Sequence, residues 1–277
     1  VADGLTDAWV KIRKRLEDPI FASVVELLPT LDRQGWPSLD VLNVISRNRG
    51  IGNAFQQPLR FIPLIDTGSA MSYEMQIATS GEVPTRENLH DLFNALQWLS
   101  FPQLKGTVNA EHVKRLQSGG EAEARARCKA RDVLTMFDEG GVIVASTDSS
   151  LLSLLQNFAW RELFVERRAD VLANMRFHLV GHGLMEKALA PFIGITGKAI
   201  LLTVDPTDLD RADALDAAAS AWLCDENNLT SATNLSPLPL LGVPGWDPRN
   251  EHATFYDNTD YFRTGRLRNS NGSPGPA

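Results

Sequence analysis

The stretch TRENLHDLFNALQWLSFPQLKGTVNAEH, residues 85–112, holds the clearest periodicity in the chain. At about 100° per residue, Leu89, Leu92, Phe93, Leu96 and Leu99 fall on one face, and Arg86, His90, Asn94 and Gln97 on another, with Glu87, Asp91 and Trp98 beside them. This spacing predicts a helix over 86–98, capped by Thr85 after a turn at Gly81-Glu82-Val83-Pro84. A second helix is expected over 104–116, with Lys105, Asn109 and, less closely, His112 on one face. If the two helices fold back across Ser100-Phe101-Pro102, their polar faces meet around one cleft.

Working outward, amphipathic or apolar helices are expected over 5–17, 21–31 and 39–47, and strands over 59–64 and 72–79. A helix from 121 into the Arg131 region leads to a β-hairpin, strands 133–137 and 142–146, turned at Asp138-Glu139-Gly140-Gly141. Asp148 caps a leucine-rich helix to residue 157, and 160–173 continues in helical pattern. A helix over 175–189, a strand over 198–204 and an alanine-rich helix over 208–223 follow. From 235 the chain combines prolines with bulky apolar residues, which suits an extended arm laid on the core. The expected fold is α+β: one mostly helical domain over 1–268 with a small antiparallel sheet, the arm at 235–268, and a disordered tail at 269–277.

Composition narrows the function classes. Of 277 residues 43% are hydrophobic and 22% charged, the mix of a globular chain that needs no staple. A net charge of -7 argues against a domain-wide grip on nucleic acid or anionic lipid. Lys105, Lys114, Arg115, Arg125, Arg127, Lys129 and Arg131 still cluster, either as a local anion site or as a solvated face shared with Glu111, Glu121 and Glu123. Cys128 and Cys224 lack metal-ligand spacing and suit a reducing compartment. No apolar run reaches the ~20 residues of a membrane span and the first residues lack a signal-peptide core, so a cytoplasmic location is expected.

The polar face of 86–98 shows Arg, His, Asp and Asn where a solvated face usually shows Lys and Glu, and these types serve fixed geometry. Arg86, Asn94, Lys105, Asn109 and Arg131 are candidates to hold an anionic substrate, and His90, Asp91, His112 and Asp138 for acid–base work. Asp138 is the retained member of the Asp138-Glu139 pair, since Asp-Glu-Gly-Gly is also ordinary turn chemistry. On helix 175–189, His178, His182 and Glu186 stand in one row, a donor set for Zn²⁺, Mn²⁺ or iron, although HxxxH spacing alone is a weak signal and His178 also reads as a satisfied histidine of the core. Gly181 and Gly183 flank His182, and each costs a helix about 0.8–1 kcal/mol against Ala, so the pair implies a close approach or a helix break. No GxSxG, Walker A, dinucleotide-binding glycine fingerprint or HExxH is present.

Four stretches, 84–112, RDVLTMFDEGG (131–141), GHGLMEK (181–187) and PLPLLGVPGWDPRNEHATFYDNTDYFR (237–263), together resemble a bacterial family of unknown function, DUF3025. The resemblance implies one recurrent domain and carries over no catalytic residue, substrate or cofactor. From the residues themselves, the leading expectation is a hydrolase-like, metal-assisted enzyme acting on a small anionic or phosphorylated molecule. The alternative is a non-catalytic binding module whose His, Arg and Asp groups form a packing network. The first needs an open cleft, and its shared metal site fails if His90 lies more than about 12 Å from His182, because ligation needs ~2 Å contacts.

Overall fold

The computed structural model describes residues 2–64, 72–116 and 121–265, without the side chains of 2–7 and 121–127. The tail expected at 269–277 lies outside the described residues. The helices are α1 (Ala2–Arg15), α2 (Leu39–Asn48), α3 (Tyr73–Ser80), α4 (Leu89–Ser100), α5 (Pro102–Leu116), α6 (Glu121–Gly140), α7 (Ser149–Gln156), α8 (Arg168–Asn174), α9 (His182–Ala188) and α10 (Ala212–Cys224). The strands are β1 (Arg60–Pro63), β2 (Glu82–Thr85), β3 (Gly141–Ser146), β4 (Met175–Leu179), β5 (Thr196–Thr203) and β6 (Ser236–Pro239).

The architecture is α+β, helices around a four-stranded mixed sheet of order β4-β3-β5-β6, with β1 and β2 forming a separate parallel pair. β3 is buried along its whole length, which is why its sequence, GVIVAS, is a continuous run rather than an alternation. It pairs antiparallel with β4, Ile143 opposite His178, and parallel with β5, Ile143 opposite Ile200. One apolar cluster runs from Trp9 in α1 to Phe262 near the end of the arm. No helix among the described residues is long and apolar enough to cross a membrane.

The arm is bound by polar contacts as well as by its rings. β6 joins β5, and the Tyr261 hydroxyl donates to Ile195 O at 2.8 Å while accepting from Leu241 N at 3.0 Å. Tyr256 donates to Gly242 O at 2.7 Å. These bonds satisfy backbone groups that a proline-rich segment cannot pair in a regular ladder.

Three local expectations are corrected. The hairpin at 133–146 is absent, because α6 runs on through Gly140 and feeds β3 directly. Val133, Leu134 and Phe137 are buried at helical spacing, and a Cβ at Gly141 would collide with Phe137 O, so glycine permits the abrupt exit. The helix expected over 175–189 is strand β4 followed by α9, and its break falls at Gly181, packed on Gly140 and Gly141. Residues 72–79 form α3 rather than a strand, with Ser72 as N-cap and Gly81 closing the helix at φ 71°.

Smaller shifts follow from the same physics. The expected turn 81–84 is β2, and Asn88 replaces Thr85 as cap of α4, its side chain accepting from Asp91 N at 2.8 Å. Short 3₁₀ turns stand where 21–31 reads as a helix, with Pro29 inside. A π turn at Glu162–Glu166 interrupts 160–173 before α8. α2, β1, α7 with its Asp148 cap, and β5 stand within a few residues of expectation.

Candidate metal centre

α9 packs against both α4 and α6. This juxtaposition brings together His90 from the first turn of α4, Glu139 from the last turn of α6, and His182, the first residue of α9. His182 Nε2 lies 3.0 Å from His90 Nε2 and 3.4 Å from Glu139 Oε1, and His90 Nε2 lies 3.8 Å from the same oxygen. The point equidistant from these three atoms is about 2.0 Å from each, the ligand distance of zinc to imidazole nitrogen and carboxylate oxygen. Two imidazoles and one carboxylate form a donor set suited to a divalent ion such as zinc.

The far sides of both rings face carboxylates. His182 Nδ1 is buried, makes no hydrogen bond, and faces Asp138 Oδ2 at 3.8 Å. His90 Nδ1 faces Glu186 Oε2 at 3.6 Å. A carboxylate behind a ligating imidazole fixes its tautomer and turns the Nε2 lone pair toward the ion. Asp138 Oδ1 meets the Lys105 ammonium, which is 7% exposed and lies over the Trp98 ring. Burial pushes the Asp138 carboxyl up, but Lys105, His182 and His112 outweigh it and hold it below the usual range. The neighbouring His182 ring likewise lowers Glu139, against partial burial, and His90 adds to the effect.

The trio forms part of the wall of an open cleft of about 400 Å³. Arg86, Asp91, Asn94, His112, Arg131 and Asp138 line it too, so most of the residues singled out in the sequence share one space. Arg86 is committed to Asp91, donating from Nε at 2.9 Å and from Nη2 at 3.0 Å, which with the Arg86 backbone N–H outweighs burial and lowers Asp91. Asn94 donates to the Tyr73 hydroxyl at 2.9 Å. Arg131 lines the cleft without an ion pair among the described residues. Burial pushes the His112 imidazole down, and Arg131, Lys105 and Arg115 add to this against Asp138.

Other candidates stand differently. Lys105 and Asn109 are buried and do not line the cleft; Lys105 holds Asp138, and Asn109 donates to Glu74. Glu186 contacts His90 rather than completing the triangle. His178 is not beside His182, because it lies on β4, edge-on to Phe101, in a separate cavity. Lys114 pairs with Glu226 and Arg115 with Glu111, which breaks up the basic cluster. Glu139, which the local pattern assigns to a turn, lines the cleft, as do Tyr73, Glu74 and Thr135, none of them among the candidates above. The signal for α6 was present: Arg131, Thr135, Asp138 and Glu139 follow helical spacing along one face.

The family model described as "Protein of unknown function (DUF3025)" matches residues 59–266. No curated protein and no solved structure matches the chain.

Proposed function

This chain belongs to the DUF3025 family, which brings no activity with it, and from the geometry we propose that it is a metal-assisted hydrolase of a small anionic or phosphorylated molecule. The observation that carries the reading is the triangle of His90 Nε2, His182 Nε2 and Glu139 Oε1, sized for one divalent ion at the wall of an open cleft. The ion's role is to polarise the scissile carbonyl or phosphoryl group and to lower the pKa of a bound water toward neutrality. Arg131, without an ion pair among the described residues, stands on the same wall to hold the anionic part of the substrate, and Arg86, fixed by Asp91, adds positive potential. The openness of the cleft favours catalysis over a packing network, in which such groups would be enclosed and fully paired.

Elemental analysis of protein purified without chelator or metal affinity resin tests the reading. One equivalent of zinc, manganese or iron is expected, and His182→Ala and His90→Ala should each lose it while remaining folded. Protein that carries no transition metal and shows no saturable zinc or manganese binding by calorimetry would overturn it.

A further inference from the structure

Hydrolysis at a metal needs a group that takes the proton of the attacking water and is not itself a ligand. Among the described residues, the acidic side chains lining the cleft are Glu74, Asp91, Asp138 and Glu139. Three of these are already engaged. Glu139 belongs to the ligand triangle, and both Asp91 oxygens accept from Arg86. Asp138 meets the Lys105 ammonium with one oxygen and faces His182 Nδ1 with the other.

Glu74, on α3, is the exception. Among the described residues it makes no ion pair, and its one side-chain hydrogen bond is from the amide of Asn109, donated to Oε2 at 2.5 Å. The same amide donates to Glu74 O at 2.9 Å, so buried Asn109 clamps both backbone and carboxylate and orients the group against the cleft. The charged groups around it are Asp138 on α6 and Lys105 on α5, with the Tyr73 hydroxyl beside it on α3. We propose that Glu74 is the proton-transfer residue of this metal centre, an inference that rests on the hydrolytic reading above.

An ion held by His90, His182 and Glu139 would supply the polarisation and make the attacking water more acidic; the water oxygen would bond to the carbonyl carbon or phosphorus as its proton passes to the Glu74 carboxylate. The bond to the leaving atom then breaks with its electron pair, and that atom takes the proton back from Glu74. The net reaction consumes one water and returns Glu74 to its ionised form. Electrostatics agree with the division of labour. Burial raises Glu74 and Asp138 adds to this, against Asn109 and Lys105, while Asp138 and Glu139 are both lowered. Carboxyls tuned apart in one site are the pattern of acid–base work.

The test uses the full chain loaded with Co²⁺, its visible spectrum titrated between about pH 5 and 9, across the range where metal-bound water and a raised carboxyl ionise. The wild-type protein should titrate in two coupled steps, Glu74→Gln in one, and Glu74→Asp again in two. Asn109→Ala keeps Glu74 but removes the amide that favours its ionised form, so its first step should move to higher pH. Superposable titrations of wild type and Glu74→Gln would overturn the proposal with the metal reading intact. Failure of cobalt to bind wild-type protein in equilibrium dialysis would overturn both.

Discussion

A Cβ at residue 183 would overlap the Glu139 carboxylate, whereas one at residue 181 would strike the backbone of Gly140 and Gly141. The two glycines flanking His182 therefore have different roles. Gly183→Ala is relieved by swinging the Glu139 side chain away, so stability should stay within ~1 kcal/mol of wild type, since alanine also favours the helix. Zinc affinity, read by competition with a chromophoric chelator, should fall roughly 10- to 100-fold, the usual cost of misplacing the groups around a metal. Unchanged affinity would remove Glu139 from the site. Gly181→Ala meets backbone that no rotamer relieves and should cost ~2 kcal/mol or more in urea denaturation. At this scale much of the candidate site was legible: the polar face around His90 and the glycines around His182 each marked a half of the proposed metal centre. Glu139 was not, because two glycines beside an Asp-Glu pair suit a turn as well as a helix end.

At the level of elements, the residues that misled are short apolar runs whose period is ambiguous. Val133–Phe137 holds five residues, too few to separate strand from helix without the alanine- and arginine-rich residues before it, which carry α6 through to Gly140. Residues 175–189 fail in the opposite sense: an apolar run read as one helix divides at Gly181 because the α6–β3 junction must pass within contact distance. Tertiary approach, absent from any local window, decided both. The arm was legible because proline content and hydrophobicity conflict along its length, and only packing with side-chain hydrogen bonds resolves that conflict. Asn250 carries much of that resolution, donating from Nδ2 to Leu241 O at 3.0 Å and to Val243 O at 2.7 Å. Asn250→Ala takes the donor from Leu241 O and leaves Val243 O with the Trp246 N–H alone, and should cost ~2–3 kcal/mol, against ~1 kcal/mol for Tyr256→Phe, which removes one bond. Equal small losses in urea denaturation would show that ring packing alone holds the arm.

For the molecule as a whole, a second cavity of about 510 Å³ is lined by two groups whose titrations oppose each other, buried Asp216 of α10 and half-buried His178 of β4. Burial pushes Asp216 up to about 6, against the backbone N–H groups of Leu104 and Gln103 that it accepts at the start of α5. Burial pushes His178 down to about 4, and Arg176 adds to this against Asp210. Between the ordinary carboxyl value of 3.8 and about 6, the folded chain holds a proton on Asp216 that the unfolded chain has released, so this group's contribution to stability falls as pH rises. Between about 4 and 6.5, the unfolded chain holds a proton on His178 that the folded chain refuses, so that contribution rises with pH. Shifts of about two units each correspond to ~2–3 kcal/mol and carry opposite signs, so they nearly cancel in the wild-type protein. Single substitutions should separate them. Relative to wild type, Asp216→Asn should gain stability as pH rises from 4.5 to 6.5, and His178→Leu should lose it over the same interval. Urea denaturation at several pH values reads both slopes, and variants that parallel the wild type would show that neither proton count changes on folding. The comparison is between slopes because Asp91, Asp138 and Glu139, all lowered, withdraw their own contributions only at more acid pH and do so equally in each variant.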